Sequence, residues 1–158
     1  MSFLSCCRRL GLGLLSLWVA HAHAAPEIVI GQVAPLTGVI AGTGDEYVAG
    51  ARAYFEHINA RGGINGARIR VVVKDDSYKP DLTLQHTREL LEQHNPVALF
   101  GFVGTANILA LNRNKVLSEA NIALLAPYTG AADLREPVNP HLFHIRASYT
   151  DETAKMVE

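Results

Sequence analysis

From Ile28 onward the apolar positions follow two periods in turn, one suited to strands and one to helices. Ile28, Val29, Ile30, Val33 and Ala34 form a nearly continuous apolar run, the pattern of a strand covered on both faces in a parallel sheet. Pro35 stops it, because proline cannot donate to the ladder. Tyr47, Ala51, Tyr54, Phe55 and Ile58 then recur at i, i+4, i+7, i+8 and i+11, one face of a helix. Thr43 or Asp45 can cap its start, and acidic Asp45 and Glu46 suit its first turn. Asn59 to Gly66 ends it, with Gly62 and Gly63 able to turn left-handed.

The alternation continues to the end of the chain. Ile69 to Val73 is a second strand, closed by Asp75 and Asp76. Pro80 and Asp81 open a second helix, with Leu84, Thr87, Leu91 and His94 along one side. Val97 to Phe102 is a third strand, left by the loop Gly104-Thr105-Ala106-Asn107. Ile108 to Ala120 is a third helix, Ile122 to Ala126 a fourth strand, and Pro127-Tyr128-Thr129-Gly130 its exit loop. Leu142 to Arg146 reads as a fifth, shorter strand, and Ser148 or Thr150 starts a last helix that runs to Glu158. Strands and helices in turn predict an α/β fold, a doubly wound parallel sheet with right-handed crossovers and strand order 2-1-3-4-5. In such sheets the ligand sits beyond the carboxyl ends of the strands, where the order reverses. The loops 36–44, 104–107 and 128–130 are therefore expected to meet at one site.

Those loops carry the candidate chemistry. Thr37, Gly38, Gly42, Thr43 and Gly44 offer hydroxyls and bare backbone N–H groups beside a helix N-terminus, which suits a carboxylate. No catalytic residue accompanies them, so the pattern points to binding rather than turnover. No G-x-S-x-G, H-E-x-x-H or G-x-x-x-x-G-K motif occurs, and Gly42-Thr43-Gly44 lacks the third glycine of a dinucleotide fingerprint. Asp75 and Asp76 read as turn-forming, and His141 and His144 need not converge, so neither metal nor cofactor is expected. His57, His86 and His94 lie among charged helix neighbours and read as solvated.

Residues 1–24 read as a cleavable signal peptide: Arg8 and Arg9, an apolar run from Leu10 to Ala20, then Ala22-His23-Ala24, with Ala20-His21-Ala22 as a second candidate cleavage site. That run is too short to span a bilayer about 30 Å thick. Cys6 and Cys7 leave with it, so the remaining 134 residues of the 158 contain no cysteine. Without the two arginines, 12 basic side chains face 15 acidic ones, a mild net charge of −3 that argues against a nucleic-acid partner. A free periplasmic protein is expected.

The run PLTG…G.GDEY..G…..INA.GGINGA.I.VVV.DD, then FGFVGT, LLAPYTGA and FHIRASYTDE, resembles the type I periplasmic solute-binding proteins. It is most similar to the leucine/isoleucine/valine-binding proteins of ABC importers. The resemblance implies two α/β lobes that close over a small amino acid, the first gripping its carboxylate through loop N–H groups and hydroxyls. It implies ligand contacts at Thr105, Tyr128 and Gly130, with Thr43 at a pocket-covering position. It also implies an ABC permease as partner, a monomer, residues 25–147 as the first lobe, and 148–158 as the start of a second lobe that this sequence does not contain.

Two positions depart from the leucine type: Tyr128 and Gly130 stand where a small residue and a threonine are usual. Tyr128 offers either its backbone alone or a ring that narrows the pocket, and Thr129 can supply the hydroxyl instead. Aromatic carboxylates therefore stand beside branched-chain amino acids as candidate ligands. A sensory module feeding a signalling receptor is the alternative function, since the same fold serves both, and a secreted α/β enzyme would need a nucleophile–base pair that the loops do not show.

Overall fold

The computed structural model describes residues 26–158, and the segment read as a signal peptide, 1–24, lies outside the described residues. Five strands form one parallel sheet: β1 (Glu27–Ala34), β2 (Arg68–Asp75), β3 (Ala98–Phe100), β4 (Leu124–Leu125) and β5 (Leu142–Phe143). Their order is β2-β1-β3-β4-β5, as the alternation of the sequence predicts. Ile30 shows the centre of the sheet, pairing with Val71 of β2 on one side and Ala98 of β3 on the other. The order reverses between β1 and β3, the place where ligands sit in open sheets of this kind.

Successive strand residues point to opposite faces, and β1 feeds two cores of unequal size. Val33 joins Leu90, Leu99, Phe102, Ile108 and Leu111 beneath α2 (Pro80–His94) and α3 (Thr105–Arg113). Ala34 joins the smaller group of Val48 and Val103 beneath α1 (Ala41–Ala60). Gln32 is fully buried on this thinner side, and its amide finds no partner among the described residues.

Several boundaries differ from the sequence reading, each for a local reason. The strands β3, β4 and β5 are shorter than expected, and Gly101 (φ 66°) and Ala126 (φ 52°) end β3 and β4 by turning the chain out of the extended conformation. Helix α1 begins at Ala41, so Gly42, Thr43 and Gly44 form its first turn rather than a loop. The expected cap is corrected as well. Ile40 takes the N-cap position with no side-chain bond, and Asp45 and Glu46 lie beyond the first turn. Gly44 lets the helix start this early: a Cβ there would sit 2.0 Å from the Pro35 carbonyl oxygen.

Helix α3 likewise starts at Thr105, three residues before the expected position, and Gly104 (φ 106°) is its N-cap. Lys115 (φ 55°) breaks the predicted Ile108–Ala120 helix, and a short α4 (Val116–Glu119) follows. A 3₁₀ turn, Ala132–Leu134, was not signalled by the sequence. The last helix, α5 (Tyr149–Val157), is capped by Ser148: its hydroxyl accepts from the Asp151 N–H at 3.0 Å, and the Asp151 carboxylate accepts from the Ser148 N–H at 3.1 Å.

Candidate functional site

The four loops at the carboxyl ends of β1 to β4 divide into two pairs. In the first pair, Asp75 at the end of β2 fills the loop after β1. Its Oδ1 accepts from the N–H groups of Leu36 (2.8 Å), Thr37 (3.2 Å) and Ser77 (2.8 Å). Its Oδ2 accepts from the Thr37 hydroxyl at 2.6 Å. The loop expected to take an external carboxylate therefore holds one of the chain's own. Burial raises the Asp75 pKa, but these hydrogen bonds, led by Thr37, outweigh it and bring the carboxyl below its ordinary value.

Asp76 turns the other way, into the core, where it is fully buried. It accepts from the Tyr78 N–H (2.9 Å), the Thr83 hydroxyl of α2 (2.6 Å) and the Asn107 amide of α3 (3.1 Å). Asn107 also donates to Thr83 at 2.8 Å. One carboxylate thus ties the turn after β2, helix α2 and the first turn of α3, fixing where Thr105 stands. The turn-forming reading of the Asp pair is right but incomplete, because the tie to α3 crosses 31 residues that no local pattern links.

In the second pair, no carboxylate is among the described hydrogen-bond partners of Thr105 and Thr129. Thr105 opens α3, and its hydroxyl lies 2.7 Å from that of Thr129, which is fully buried in the loop after β4. Thr129 also accepts from the Ala131 N–H at 3.2 Å. The first backbone N–H groups of α3 have no intrahelical acceptor, and the helix dipole points its positive end the same way. Gly130 follows immediately. A Cβ on it would meet the Tyr149 ring at 2.6 Å and the Tyr149 nitrogen at 2.8 Å, so only glycine fits. The structure brings Thr105, Thr129 and Gly130 together, with Tyr128 at their edge. Thr43 is exposed on α1, and none of its described contacts reaches this cluster.

Tyr128 exposes its ring at the rim, packed at 5.3 Å against Tyr47, whose hydroxyl donates to the Ala126 carbonyl at 2.8 Å. Burial, then the neighbouring Tyr128, raises the Tyr47 pKa. Arg146 lies 4.9 Å from the centre of the Tyr128 ring and 5.7 Å from that of Tyr149, within cation–π range of both. Its Nε and Nη2 donate to Glu152 of α5, the former at 3.2 Å. A groove of about 370 Å³ runs along Tyr47, Pro127, Tyr128, Ile145, Arg146 and Glu152.

Sequence reasoning missed Arg146, Tyr149 and Arg135 as rim residues. Arg135 donates to the carbonyls of Arg146 (2.9 Å) and Ala147 (3.2 Å), which holds the segment before α5 against the lobe. The run RASY was visible in the sequence, but nothing local said that its side chains would fold back onto the loop after β4. The reading of His86 as solvated is corrected, since its Nδ1 lies 3.0 Å from Glu89 in a partly buried pair. Among the described residues, no three His, Cys, Asp or Glu side chains converge as metal ligands.

Known proteins share this fold. The family described as periplasmic binding protein matches residues 27–158. An amino acid binding protein of Pseudomonas aeruginosa is 35% identical over 119 residues, covering 75% of this chain and 31% of its own. The crystal structure of a substrate-binding periplasmic protein from Ralstonia solanacearum superposes with a TM-score of 0.80 at 45% identity, over 83% of this chain and 36% of that one. The branched-chain amino acid transporter substrate binding protein of Streptococcus pneumoniae, solved with isoleucine, gives a TM-score of 0.71 at 27% identity, over 77% and 34%. The chain thus spans about a third of the length of these relatives. The matched span holds all five strands and the whole loop rim, and the chain belongs to the type I periplasmic binding protein family.

Proposed function

We propose that this chain carries the ligand-binding first lobe, residues 25–147, of a periplasmic solute-binding protein that captures an amino acid or related small carboxylate for an ABC importer. Residues 148–158 open the second lobe in this reading, and the complete protein acts as a monomer secreted through its signal peptide. The function is capture without turnover. Thr105, Thr129 and the backbone at Tyr128 and Gly130 grip the carboxylate, while Thr43 lies at the rim rather than the anchor.

The observation that carries the reading is the unfilled half of the rim. Around Asp75, hydroxyl and N–H donors surround a carboxylate supplied by the chain. Around Thr105 and Thr129 the same donor types stand at a helix N-terminus with no such carboxylate among the described contacts. Hydroxyls and the free N–H groups of a helix N-terminus suit an anion, and a guest's carboxylate is the group that matches them.

Titration calorimetry on the intact natural protein tests this. L-amino acids and benzoates are expected to bind, and their carboxamide analogues to bind at least about tenfold more weakly, since hydrogen bonds to a charged acceptor contribute about 1.5–3 kcal/mol. Equal binding of acid and amide would refute carboxylate recognition. A piece comprising residues 25–158 alone exposes its guest to water and lacks half the contacts. It is expected to bind about a thousandfold more weakly than the intact protein, a loss of about 4 kcal/mol.

A further inference from the structure

The segment entering α5 folds back over the anchor. The Tyr149 N–H donates to the Gly130 carbonyl at 2.8 Å, and the ring lies across Gly130 in the space a Cβ would need. This places the ring against the residue next to Thr129, whose hydroxyl lies 2.7 Å from that of Thr105. Nothing in the arrangement of strands or in the loop motifs assigns a role to this tyrosine.

We propose that Tyr149 is a ligand-contacting residue, the outermost of three hydroxyls that together hold the guest's carboxylate. The inference rests on the carboxylate-anchor reading above and adds a residue to it. Two threonine hydroxyls bonded to each other have spent one of their two protons on that bond, so the pair alone is a meagre anchor for an anion. A third hydroxyl restores a donor, and a phenol is a far more acidic donor than an alcohol. The surroundings sharpen that character. The Thr105 hydroxyl first, then the Gly130 backbone and the Thr129 hydroxyl, hold the Tyr149 pKa below its ordinary value, with the Arg146 guanidinium contributing in the same sense. Tyr149 is 46% exposed, which leaves it accessible to a guest.

The test uses the intact natural protein, with the tightest binder among the twenty L-amino acids and benzoate as the probe for calorimetry. Tyr149→Phe keeps the ring on Gly130 and removes only the hydroxyl, and an unchanged thermal midpoint confirms that the fold is retained. The affinity of Tyr149→Phe is expected to fall about tenfold or more, as does that of Thr105→Ala. A loss in Thr105→Ala with unchanged or tighter binding by Tyr149→Phe overturns the role of Tyr149 and leaves the anchor standing. A loss in Tyr149→Phe alone overturns the shared hydroxyl cluster. Unchanged affinity in both variants, or a panel in which nothing binds, overturns the anchor and the inference together.

Discussion

The loops after β1 and β2 and the loops after β3 and β4 crown one sheet with the same kinds of group. Both pairs offer threonine hydroxyls, backbone N–H groups and a nearby helix start. In the first pair Thr37 and the Leu36 N–H turn inward onto Asp75, so their donors are spent within the fold. In the second pair the Thr105 and Thr129 hydroxyls have each other, and no carboxylate is among their described partners. In the proposed function, that difference separates a joint from a socket. Donors closed on the chain's own carboxylate stabilise the fold, and donors without one are available to a guest.

The largest expected effect lies in the joint. Asp76→Ala removes the buried acceptor shared by the Thr83 hydroxyl, the Asn107 amide and the Tyr78 N–H, leaving Thr83 only the Lys79 carbonyl at 3.1 Å and Asn107 only the Thr83 oxygen. A loss of about 3 kcal/mol in unfolding free energy is expected from denaturant titration. A loss under about 0.5 kcal/mol would show that the two halves are not held together through this residue.

Thr105→Ala makes the opposite prediction. Affinity in the intact protein should fall by about 1–3 kcal/mol while unfolding changes little, because the side chain is only partly buried. A variant that unfolds readily and binds normally would make Thr105 part of the joint.

A smaller effect follows from titration. The folded Asp75 pKa lies below its unfolded value of about 3.9, so its stabilisation is present above that value and is lost as pH falls toward the folded pKa. Stability curves for the wild type should steepen below about pH 4, and Asp75→Asn should flatten that part of the curve. Superimposable acid limbs would contradict the assignment.

The smallest effect belongs to His144, which lies outside both loop pairs. Burial first, and then Arg135, lower its pKa, against the opposing bond to the Leu134 carbonyl at 3.1 Å. The neutral form is therefore favoured in the fold. Stability is full above the unfolded value of about 6.5 and declines as pH drops beneath it. His144→Asn should remove that decline between about pH 6.5 and 5, and its persistence in the variant would assign it to another group.

Most of the fold was legible because its signals are local or periodic. The apolar run of β1, the helical face from Tyr47 to Ile58 and the glycine turn at Gly62 and Gly63 each state their own structure. The most recognisable stretch, INARGGINGARI, is structural: the Asn59 amide brackets Ile69, donating to its carbonyl at 2.8 Å and accepting from its N–H at 2.7 Å. The site was only half legible. Thr105, Thr129 and Gly130 could be placed by their loops, since the topology decides which loops meet. The closing of the β1 loop on Asp75 was hidden, because it depends on the register between β1 and β2, and 39 residues separate Leu36 from its acceptor. Tyr149 was hidden for a similar reason. Its ring reaches the anchor only because Arg135 and Gly130 hold the segment before α5 in place.

The most direct test is a crystal structure of the intact natural protein with a bound amino acid or benzoate. The guest's carboxylate oxygens should lie within about 3 Å of the Thr105 hydroxyl at the start of α3, with Asp75 still closed on Leu36 and Thr37. A carboxylate seated in the loop after β1, with Asp75 displaced, or one far from Thr105 and Thr129, would contradict the account.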